Sequence, residues 1–287
     1  MRLITWNVQW CRGCDGRVDP ARIVRTARDI ADFDLLCLQE VAVNFPGLPG
    51  SAGEDQVTAI AGFLPAYAPV FGAGVDVRGG DGRRQYFGNV ILSRLPVLRA
   101  YRHFLPWPAD PAATGMQRVA VETVVQGPAG PLRIVNTHLE YYSALQRTAQ
   151  VERLRELHAE AAAHATKARD ADQRASDGPF AWTPRPPSAI LVGDFNLMPD
   201  DPLHARLQEP FGGGAPAFRD AWSIAHPRAA HAPTVGLYDK AQWPGQPFTS
   251  DFAFVTEDLA ARIESVTVND KTQASDHQPV LVVLRDG

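Results

Sequence analysis

The sequence lacks a long apolar segment, a signal-peptide pattern and a strong charge of either sign. No segment reaches the roughly 18 consecutive apolar residues of a transmembrane helix, and Met1 leads directly into a strand-like segment. These absences predict a cytoplasmic protein without a transmembrane segment. The formal net charge of −4 argues against a broad basic face for duplex nucleic acid, because such binding depends on neutralising phosphates. A local basic groove, and therefore nuclease activity, remains compatible with this charge.

Cysteine is also scarce. Cys11, Cys14 and Cys37 are too few for a disulfide framework, and Cys37 lies in an apolar segment typical of a core. Cys11 and Cys14 have the C-x-x-C spacing of some zinc and redox sites, but no second Cys/His pair follows at zinc-finger spacing. A structural role is therefore favoured for this pair, with zinc or redox chemistry as the alternative.

Strand-like apolar segments alternate with helical patterns along all 287 residues. Helix starts are predicted at Asp19-Pro20 and from the capping-box spacing of Ser51 and Glu54. The periodicity predicts a long helix over 144–167, and the composition of 168–187 predicts a mobile surface loop. Strands are predicted at 3–8, 34–39, 87–93, 118–125, 132–137, 188–192, 251–255, 263–268 and 280–284. No fixed-period repeat is present, so the chain is predicted to form one mixed α/β domain over 1–287.

Polar residues stand at the boundaries of six predicted strands. Each is weak evidence alone, since a single Asn or Asp after a strand is usually a turn residue. Together they are rich in Asp, Glu, Asn and His, and ligands of open α/β sheets bind at strand ends. The segments are Trp6-Asn7, Gln39-Glu40, Asn136-Thr137-His138, Gly193-Asp194-Phe195-Asn196, Asp251, and Ser275-Asp276-His277-Gln278. They predict one shared site, with Asp194 and Asn196 on one face and Phe195 turned into the core.

These motifs resemble those of the endonuclease/exonuclease/phosphatase superfamily. The matching segments are TWN (5–7), LQE (38–40), GNVILSR (88–94), NTHL (136–139), GDFN (193–196) and SDHQPV (275–280). That superfamily includes deoxyribonuclease-I-like enzymes, abasic-site nucleases, neutral sphingomyelinases and inositol-polyphosphate 5-phosphatases. The resemblance implies a four-layered α/β sandwich, in which two mostly antiparallel β-sheets pack face to face with helices outside. It also implies metal-dependent hydrolysis of phosphate esters.

The residue types at the predicted site suit this chemistry. A phosphoester is anionic and repels a nucleophile, so the site must neutralise charge and activate water. Asn7, Glu40 and Asp276 offer the hard oxygen ligands that Mg²⁺ or Mn²⁺ prefers. Asp194 is predicted to orient or deprotonate the attacking water, and Asn196 to donate its amide to the phosphate.

Further roles follow from the resemblance alone. It implies that Asp251 orients His277, and that a protonated His277 binds the phosphate. Either Asp194 or His277 could be the general base, and both alternatives stay open. His138 matches the branch in which this histidine helps to protonate the leaving oxygen, which disfavours an abasic-site nuclease. Asn89, in the GNVILSR segment, is a candidate phosphate ligand.

Three features outside the main motifs have competing interpretations. Arg118 is a candidate phosphate ligand or part of a salt bridge at the rim. Tyr141 and Tyr142 could stack on a base or line a headgroup pocket, but packing under the long helix is favoured. The segment 77–85, with Arg78, Arg83 and Arg84, is predicted either to lie near the phosphate path or to be a solvated hairpin tip.

Three function classes remain open at this point. A metal-dependent nuclease is favoured by the motifs and by the arginines of 77–85. A phosphodiesterase or phosphatase for a lipid headgroup or small molecule is favoured by the pI near 6.1 and by His138. A non-catalytic binding module is compatible with the fold, but every predicted catalytic position is intact. The expected partner is a phosphoester substrate, nucleic acid included, bound by a monomer without an obligate protein partner.

Overall fold

A computed structural model describes residues 1–166 and 181–286, so residues 168–180 of the predicted surface loop lie outside the described part. The strands are β1 (Arg2–Asn7), β2 (Leu35–Val43), β3 (Ala68–Arg78), β4 (Arg84–Ser93), β5 (Val97–Phe104), β6 (Val119–Gly127), β7 (Gly130–His138), β8 (Ala189–Asp194), β9 (Phe218–Asp220), β10 (Asp251–Thr256), β11 (Ile263–Val268) and β12 (Val280–Leu284). The helices are α1 (Pro20–Ile30), α2 (Gln56–Phe63), α3 (Ala144–Thr166), α4 (Pro202–Gln208) and α5 (Ala221–Ala225).

The strands form two six-stranded sheets with the same kind of organisation. The strand orders are β11-β12-β1-β2-β4-β3 and β5-β6-β7-β8-β10-β9. One parallel pair lies near the middle of each sheet, β1 with β2 and β7 with β8, and the other neighbours are antiparallel. The carboxyl ends of each parallel pair therefore lie at one edge of its sheet, where the polar segments follow.

Side-chain alternation along the strands builds three apolar layers. Leu3 of β1 faces a core between the sheets, where it joins Val121 of β6 and Val192 of β8. Its neighbour Ile4 points to the opposite face and packs with Ile23 of α1. On the far face of the second sheet, residues of α3 and α4 pack against β6, β7, β8 and β10. The order helix, sheet, sheet, helix confirms the predicted four-layered sandwich.

The predicted N-terminal cap was right for α1 and wrong for α2. Asp19 caps α1 as predicted, since its Oδ1 accepts from the Arg22 N–H at 3.0 Å. The capping-box prediction was wrong: Ser51 donates to Glu54 at 2.9 Å, but both precede the helix. Asp55 caps α2 instead, accepting from Thr58 N–H. Strands β3, β5 and β9 and helices α4 and α5 were not predicted.

Within residues 1–166 and 181–286, none of the helices combines the length and the apolar character that a membrane span requires. Cys11 and Cys37 are buried free thiols, and burial raises the pKa of each above its usual value. Cys11 packs in the apolar layer under α1, in agreement with the structural interpretation. Cys14 is partly exposed and directs its Sγ to the carbonyl of Ser275 at 3.5 Å.

Candidate active site

The predicted site residues meet at the edge formed by the ends of the two parallel pairs. A cleft of about 520 Å³ opens there. It is lined by seven of the predicted site residues, Glu40, Arg118, His138, Asp194, Asn196, Asp276 and His277. Asn7 and Asp251 are buried behind this lining, at 1% and 3% exposure. Residues distant in sequence therefore share one site.

Glu40 reaches the cleft because β2 is irregular at this residue. The predicted end of the strand at Glu40 was wrong, since β2 continues to Val43. Its register against β4 shifts between Leu38 and Val41, and Glu40 has a φ of 58°. Such a bulge re-aims a side chain out of the regular pleat. Burial and the neighbouring carboxylate of Asp276 raise the pKa of Glu40 to about 7.

Asn7 joins two carboxylates at the floor of the cleft. Its Nδ2 donates to Glu40 Oε1 and to Asp194 Oδ2, both at 3.0 Å. Its Oδ1 accepts from the Gln9 N–H at 3.1 Å. In this arrangement the amide nitrogen of Asn7 faces the two carboxylates, and its Oδ1 is occupied by the hydrogen bond from Gln9.

Asp276 is held by three donors that sequence reasoning missed. Its Oδ2 accepts from Gln9 Nε2 at 3.0 Å, from Gln242 Nε2 at 3.0 Å and from Trp243 Nε1 at 2.9 Å. Gln9 lies in a turn in which Gln9, Trp10 and Cys11 all have positive φ, two residues after the TWN segment. Gln242 and Trp243 lie in a loop without a strand or helix pattern, so no sequence signal identified them.

The GDFN segment is both a turn and part of the site. Gly193 has a φ of 143°, and a Cβ there would lie 1.8 Å from the Thr137 carbonyl of the neighbouring strand, so only glycine fits. Asp194 ends β8, and its Oδ1 accepts from the Asn196 N–H at 2.9 Å. Asn196 has a φ of 51°, while Phe195 enters the core as predicted. The turn thus directs both polar side chains toward the cleft.

His138 is held between Asn196 and Asp194. Asn196 Nδ2 lies 3.0 Å from His138 Nε2 and also donates to the Leu139 carbonyl at 2.9 Å. Since Nε2 accepts this bond, the proton of a neutral ring is on Nδ1. Burial and the charge of Arg118 lower the pKa of His138 to about 3. The ring is therefore neutral in the protein without substrate.

His277 and Asp251 form a buried pair beside Asp194. His277 Nδ1 lies 2.8 Å from Asp251 Oδ2, and His277 Nε2 lies 3.7 Å from Asp194 Oδ2. Burial opposes the charged imidazolium, but Asp251, Asp276 and Asp194 outweigh it and raise the pKa of His277 well above its usual value. Burial likewise opposes the charged form of Asp194, yet the charge of His277 and hydrogen bonds from Ser250 and Asn7 keep its pKa below the ordinary value.

Two motif residues outside the cleft tie the sheets together below it. Gln39 Nε2 donates to Asn136 Oδ1 at 2.7 Å, and Asn136 Nδ2 donates to the Leu38 and Val90 carbonyls.

Asn89, the candidate phosphate ligand, makes a similar bond: its Nδ2 donates to the Val119 carbonyl at 2.8 Å. Asn89 is 3% exposed and lines a small recess beside His138 rather than the main cleft. Its side chain therefore links β4 to β6.

Arg118 forms a salt bridge, as one of its two predicted interpretations expected, and its role as a phosphate ligand stays a prediction. It lines the cleft, and its Nε donates to Glu140 Oε2 at 3.2 Å in a buried pair. Its Nη1 has no hydrogen-bond partner among the described residues. Arg118 is therefore partly neutralised, with donor capacity remaining at the cleft.

The rim of the cleft is largely aromatic and apolar. Tyr141 and Tyr142 are 44% and 68% exposed and line the cleft, so the favoured expectation that they pack under the long helix was wrong. Tyr141 meets Trp243 edge-on, with ring centroids 6.0 Å apart. The cleft lining also contains Trp10, Phe45, Leu48, Val75, Phe87 and Met116.

The arginines of 77–85 lie on the hairpin that joins β3 to β4, away from the cleft lining. Arg83 pairs with Asp81 at 2.7 Å and Arg84 with Asp76 at 2.6 Å, and all four side chains are exposed. Within the described chain, Arg118 is the only Lys or Arg that lines the cleft. This arrangement favours the solvated hairpin tip over a role near the phosphate.

Comparison with known proteins agrees with this geometry. A model of the endonuclease/exonuclease/phosphatase family matches residues 4–277. The search of curated proteins found no significant match. Solved structures of the same fold were found in large number, and three illustrate their range.

The first is an endonuclease/exonuclease/phosphatase from Beutenbergia cavernae, 25% identical, with a TM-score of 0.67 over 99% of this chain and 71% of that one. A humanized D. rerio TDP2 is 17% identical, with a TM-score of 0.62 over 99% and 98% of the two chains. A mannosyl-6-phosphatase from Bacteroides thetaiotaomicron is 16% identical, with a TM-score of 0.63 over 99% of both.

Proposed function

We propose that this chain, which belongs to the endonuclease/exonuclease/phosphatase family, is a Mg²⁺- or Mn²⁺-dependent phosphodiesterase or nuclease that directs water in line at phosphorus. One observation carries the proposal. Asp194 Oδ2 lies 3.4 Å from His138 Nε2 and 3.7 Å from His277 Nε2, at the floor of a cleft that also contains Glu40 and Asp276. A carboxylate, two imidazoles and oxygen ligands around one cleft suit attack of water on an anionic ester.

The hydrogen bonds of these residues indicate a separate role for each. Asp251 holds His277 through Nδ1 and so leaves Nε2 free for a phosphate oxygen. We assign phosphate binding to His277, and orientation and deprotonation of water to Asp194. Asn196 would donate to the phosphate after its Nδ2 gives up the contact with His138 Nε2. His138, held in place by Asn196, is assigned to the leaving oxygen. Arg118 is a further candidate for a phosphate oxygen through its unpaired Nη1.

The oxygen donors of the cleft fit a hard divalent cation. Glu40 and Asp276 crowd their negative charges, as the raised pKa of Glu40 reflects, and a cation would relieve this repulsion. We assign metal binding to these two carboxylates, with Asn7 orienting Glu40 and Asp194. When bound, Mg²⁺ or Mn²⁺ would neutralise phosphate charge and favour ionisation of water.

A second candidate function is hydrolysis of a small phosphoester or a lipid headgroup. The aromatic rim and the single, ion-paired arginine of the described cleft lining favour it, because polyanion binding relies on several free cations. A mannosyl-6-phosphatase among the similar structures is compatible with this alternative.

A hydrolysis panel tests both candidates. Plasmid, single-stranded DNA, RNA, abasic duplex, sphingomyelin, inositol phosphates, bis-p-nitrophenyl phosphate and p-nitrophenyl phosphate are each incubated with Mg²⁺ or Mn²⁺. Asp194→Asn serves as the inactive control for every substrate. Cleavage of nucleic acid supports the first candidate, and activity restricted to small or lipid esters supports the second. Wild type that equals Asp194→Asn on the whole panel would reject both.

A further inference from the structure

Outside the catalytic cleft, His204, Asp220 and His231 bring three metal-ligating atoms together. One atom from each residue lies within 4.8 Å of the others. His204 lies on α4, Asp220 ends β9, and His231 lies in the loop after α5. The proposed hydrolysis of phosphoesters uses none of them, so this cluster needs an explanation of its own.

Both imidazoles direct the same nitrogen to one carboxylate oxygen. His231 Nε2 lies 2.5 Å from Asp220 Oδ2, and His204 Nε2 lies 3.4 Å from it. The other oxygen, Oδ1, accepts from the Trp222 N–H at 3.0 Å, where Asp220 caps α5. His204 is 8% exposed, and its Nε2 has no hydrogen-bond partner within the part of the chain described. A buried, unpaired imidazole nitrogen thus faces the carboxylate and the second imidazole.

The surroundings are apolar and would strengthen binding of a cation. The His204 ring lies 5.0 Å from the Phe252 ring and 5.3 Å from the Phe254 ring. On the other side His231 stacks with Trp222 at 5.8 Å. Asp220 is 2% exposed, and its Oδ2 also accepts from Ser223 Oγ at 2.9 Å. A positive charge beside this carboxylate would further offset the cost of burying it. A divalent cation would supply this charge with both histidines neutral.

We propose that His204, Asp220 and His231 form a site for Zn²⁺ or a chemically similar transition-metal ion, with water as the fourth ligand. Two imidazoles and one carboxylate favour such ions over Mg²⁺, which prefers oxygen ligands only. The ion would join α4, β9 and the loop after α5. The site is separate from the oxygen-ligand site assigned to Glu40 and Asp276.

Metal binding by His204 requires a change in its contact with Gln208. Gln208 Nε2 lies 3.3 Å from His204 Nδ1, while its Oε1 accepts from the Asp220 N–H at 3.0 Å. Metal binding through Nε2 places the proton of His204 on Nδ1, so the long contact with the Gln208 amide must be given up. A glutamate at this position would accept from both donors. Because such an outer carboxylate typically strengthens metal binding, Gln208→Glu should bind the ion more tightly.

Cobalt titration of the full chain tests the site without measuring activity. The protein is dialysed against EDTA and titrated with Co²⁺, whose four-coordinate form absorbs visible light much more strongly than its six-coordinate form. We expect one equivalent of the strongly absorbing species, displaced by Zn²⁺. His204→Gln and His231→Gln should lose it, whereas Gln208→Glu should tighten binding by about tenfold or more.

Two control variants separate this site from other binding. His226→Gln removes a nearby histidine outside the cluster, whose Nε2 lies 2.8 Å from the Val266 carbonyl. Glu40→Gln removes a ligand of the catalytic site. Both should keep the cobalt absorption. The proposal is overturned if wild type never forms the strongly absorbing species, or if His231→Gln retains it. If the histidine variants do not fold, unchanged cobalt affinity in Gln208→Glu overturns it instead.

Discussion

His138 and Asp194 are direct partners in the parallel register of β7 and β8, and their side chains meet at 3.4 Å between Nε2 and Oδ2. Two residues 56 positions apart in the sequence are therefore neighbours because two central strands end together. Strand ends at a topological switch are common ligand sites in α/β folds. The register of the two strands therefore brings these two side chains into one site.

Loss of Asp194 and loss of His277 should not be additive. Each of Asp194→Asn and His277→Ala should lower kcat by roughly two to four decades, the usual value of proton transfer. The double variant should be little worse than the poorer single, because groups that act on one phosphorus are strongly non-additive. Steady-state kinetics of the four proteins on one substrate measure this. Additive losses would show that the two residues, 3.7 Å apart, work independently.

Glu40→Gln should weaken metal binding while leaving the fold intact. The Glu40 side chain is 19% exposed, and its pKa of about 7 reflects burial and repulsion from Asp276. Replacing it with a neutral amide relieves that repulsion, so the metal-free melting temperature should stay equal or rise. The rise in melting temperature on adding Mg²⁺ or Mn²⁺ should shrink. Glu264→Gln, an exposed change, is the control. A large loss of metal-free stability in Glu40→Gln would assign this residue a structural role.

Removing the hairpin arginines should leave catalysis of a small phosphodiester unchanged. Arg83 and Arg84 pair with acids of their own hairpin and, like Arg78, are absent from the cleft lining. Exposed pairs of this kind contribute about 0–1 kcal/mol to stability, so the triple Ser variant should also fold. The measurement is kcat/KM over a salt series. A higher KM with a flatter salt dependence would instead show that the hairpin contacts the substrate.

Gly193→Ala should destabilise the protein on the order of 3 kcal/mol or more, as strained and overpacked positions do. The φ of 143° disfavours any side chain, and the added Cβ would lie 1.8 Å from the Thr137 carbonyl. Chemical denaturation measures the free energy of unfolding. Gly212→Ala is a matched control, because a Cβ there meets nothing within 4 Å. Equal stability of the two variants would contradict the close approach of β7 and β8.

Glu122 should make folding stability depend on acid pH. Burial opposes its ionisation, but His103, Arg133 and Arg185 outweigh burial and lower its pKa from 4.5 to about 2. A lowered pKa in the folded state stabilises above the unfolded value, so this contribution is complete above about pH 5 and disappears toward pH 2. It is about 3 kcal/mol at neutral pH.

The matching experiment compares denaturation curves of wild type and Glu122→Gln between pH 7 and pH 2. The stability difference should narrow as the pH falls through this range, because protonated Glu122 and glutamine are both neutral. Glu264→Gln again provides an exposed control. A difference that stays constant with pH would show that Glu122 contributes packing rather than charge.

Sequence motifs were sufficient to predict the layer architecture, through their family resemblance, and to identify most of the polar residues that line the candidate site. Strand alternation places Leu3 and Ile4 in different apolar layers, and this depends only on the period of two along a strand. The GDFN and SDHQPV segments identified Asp194, Asn196, Asp276 and His277, which line the cleft. Local chemistry was sufficient here because Asp194 and Asn196 lie at the end of the buried strand β8, and Asp276 and His277 lie shortly before the strand β12.

The surroundings of these groups could not be predicted from the sequence. The bulge that turns Glu40 toward the cleft depends on register against β4, and Gln242 and Trp243 reach Asp276 from a loop without periodicity. Tyr141 and Tyr142 line the rim although their sequence position suggested packing under α3. His204, Asp220 and His231 meet only because α4, β9 and the following loop converge. Such contacts join residues far apart in sequence, and no local pattern along the chain encodes their orientation.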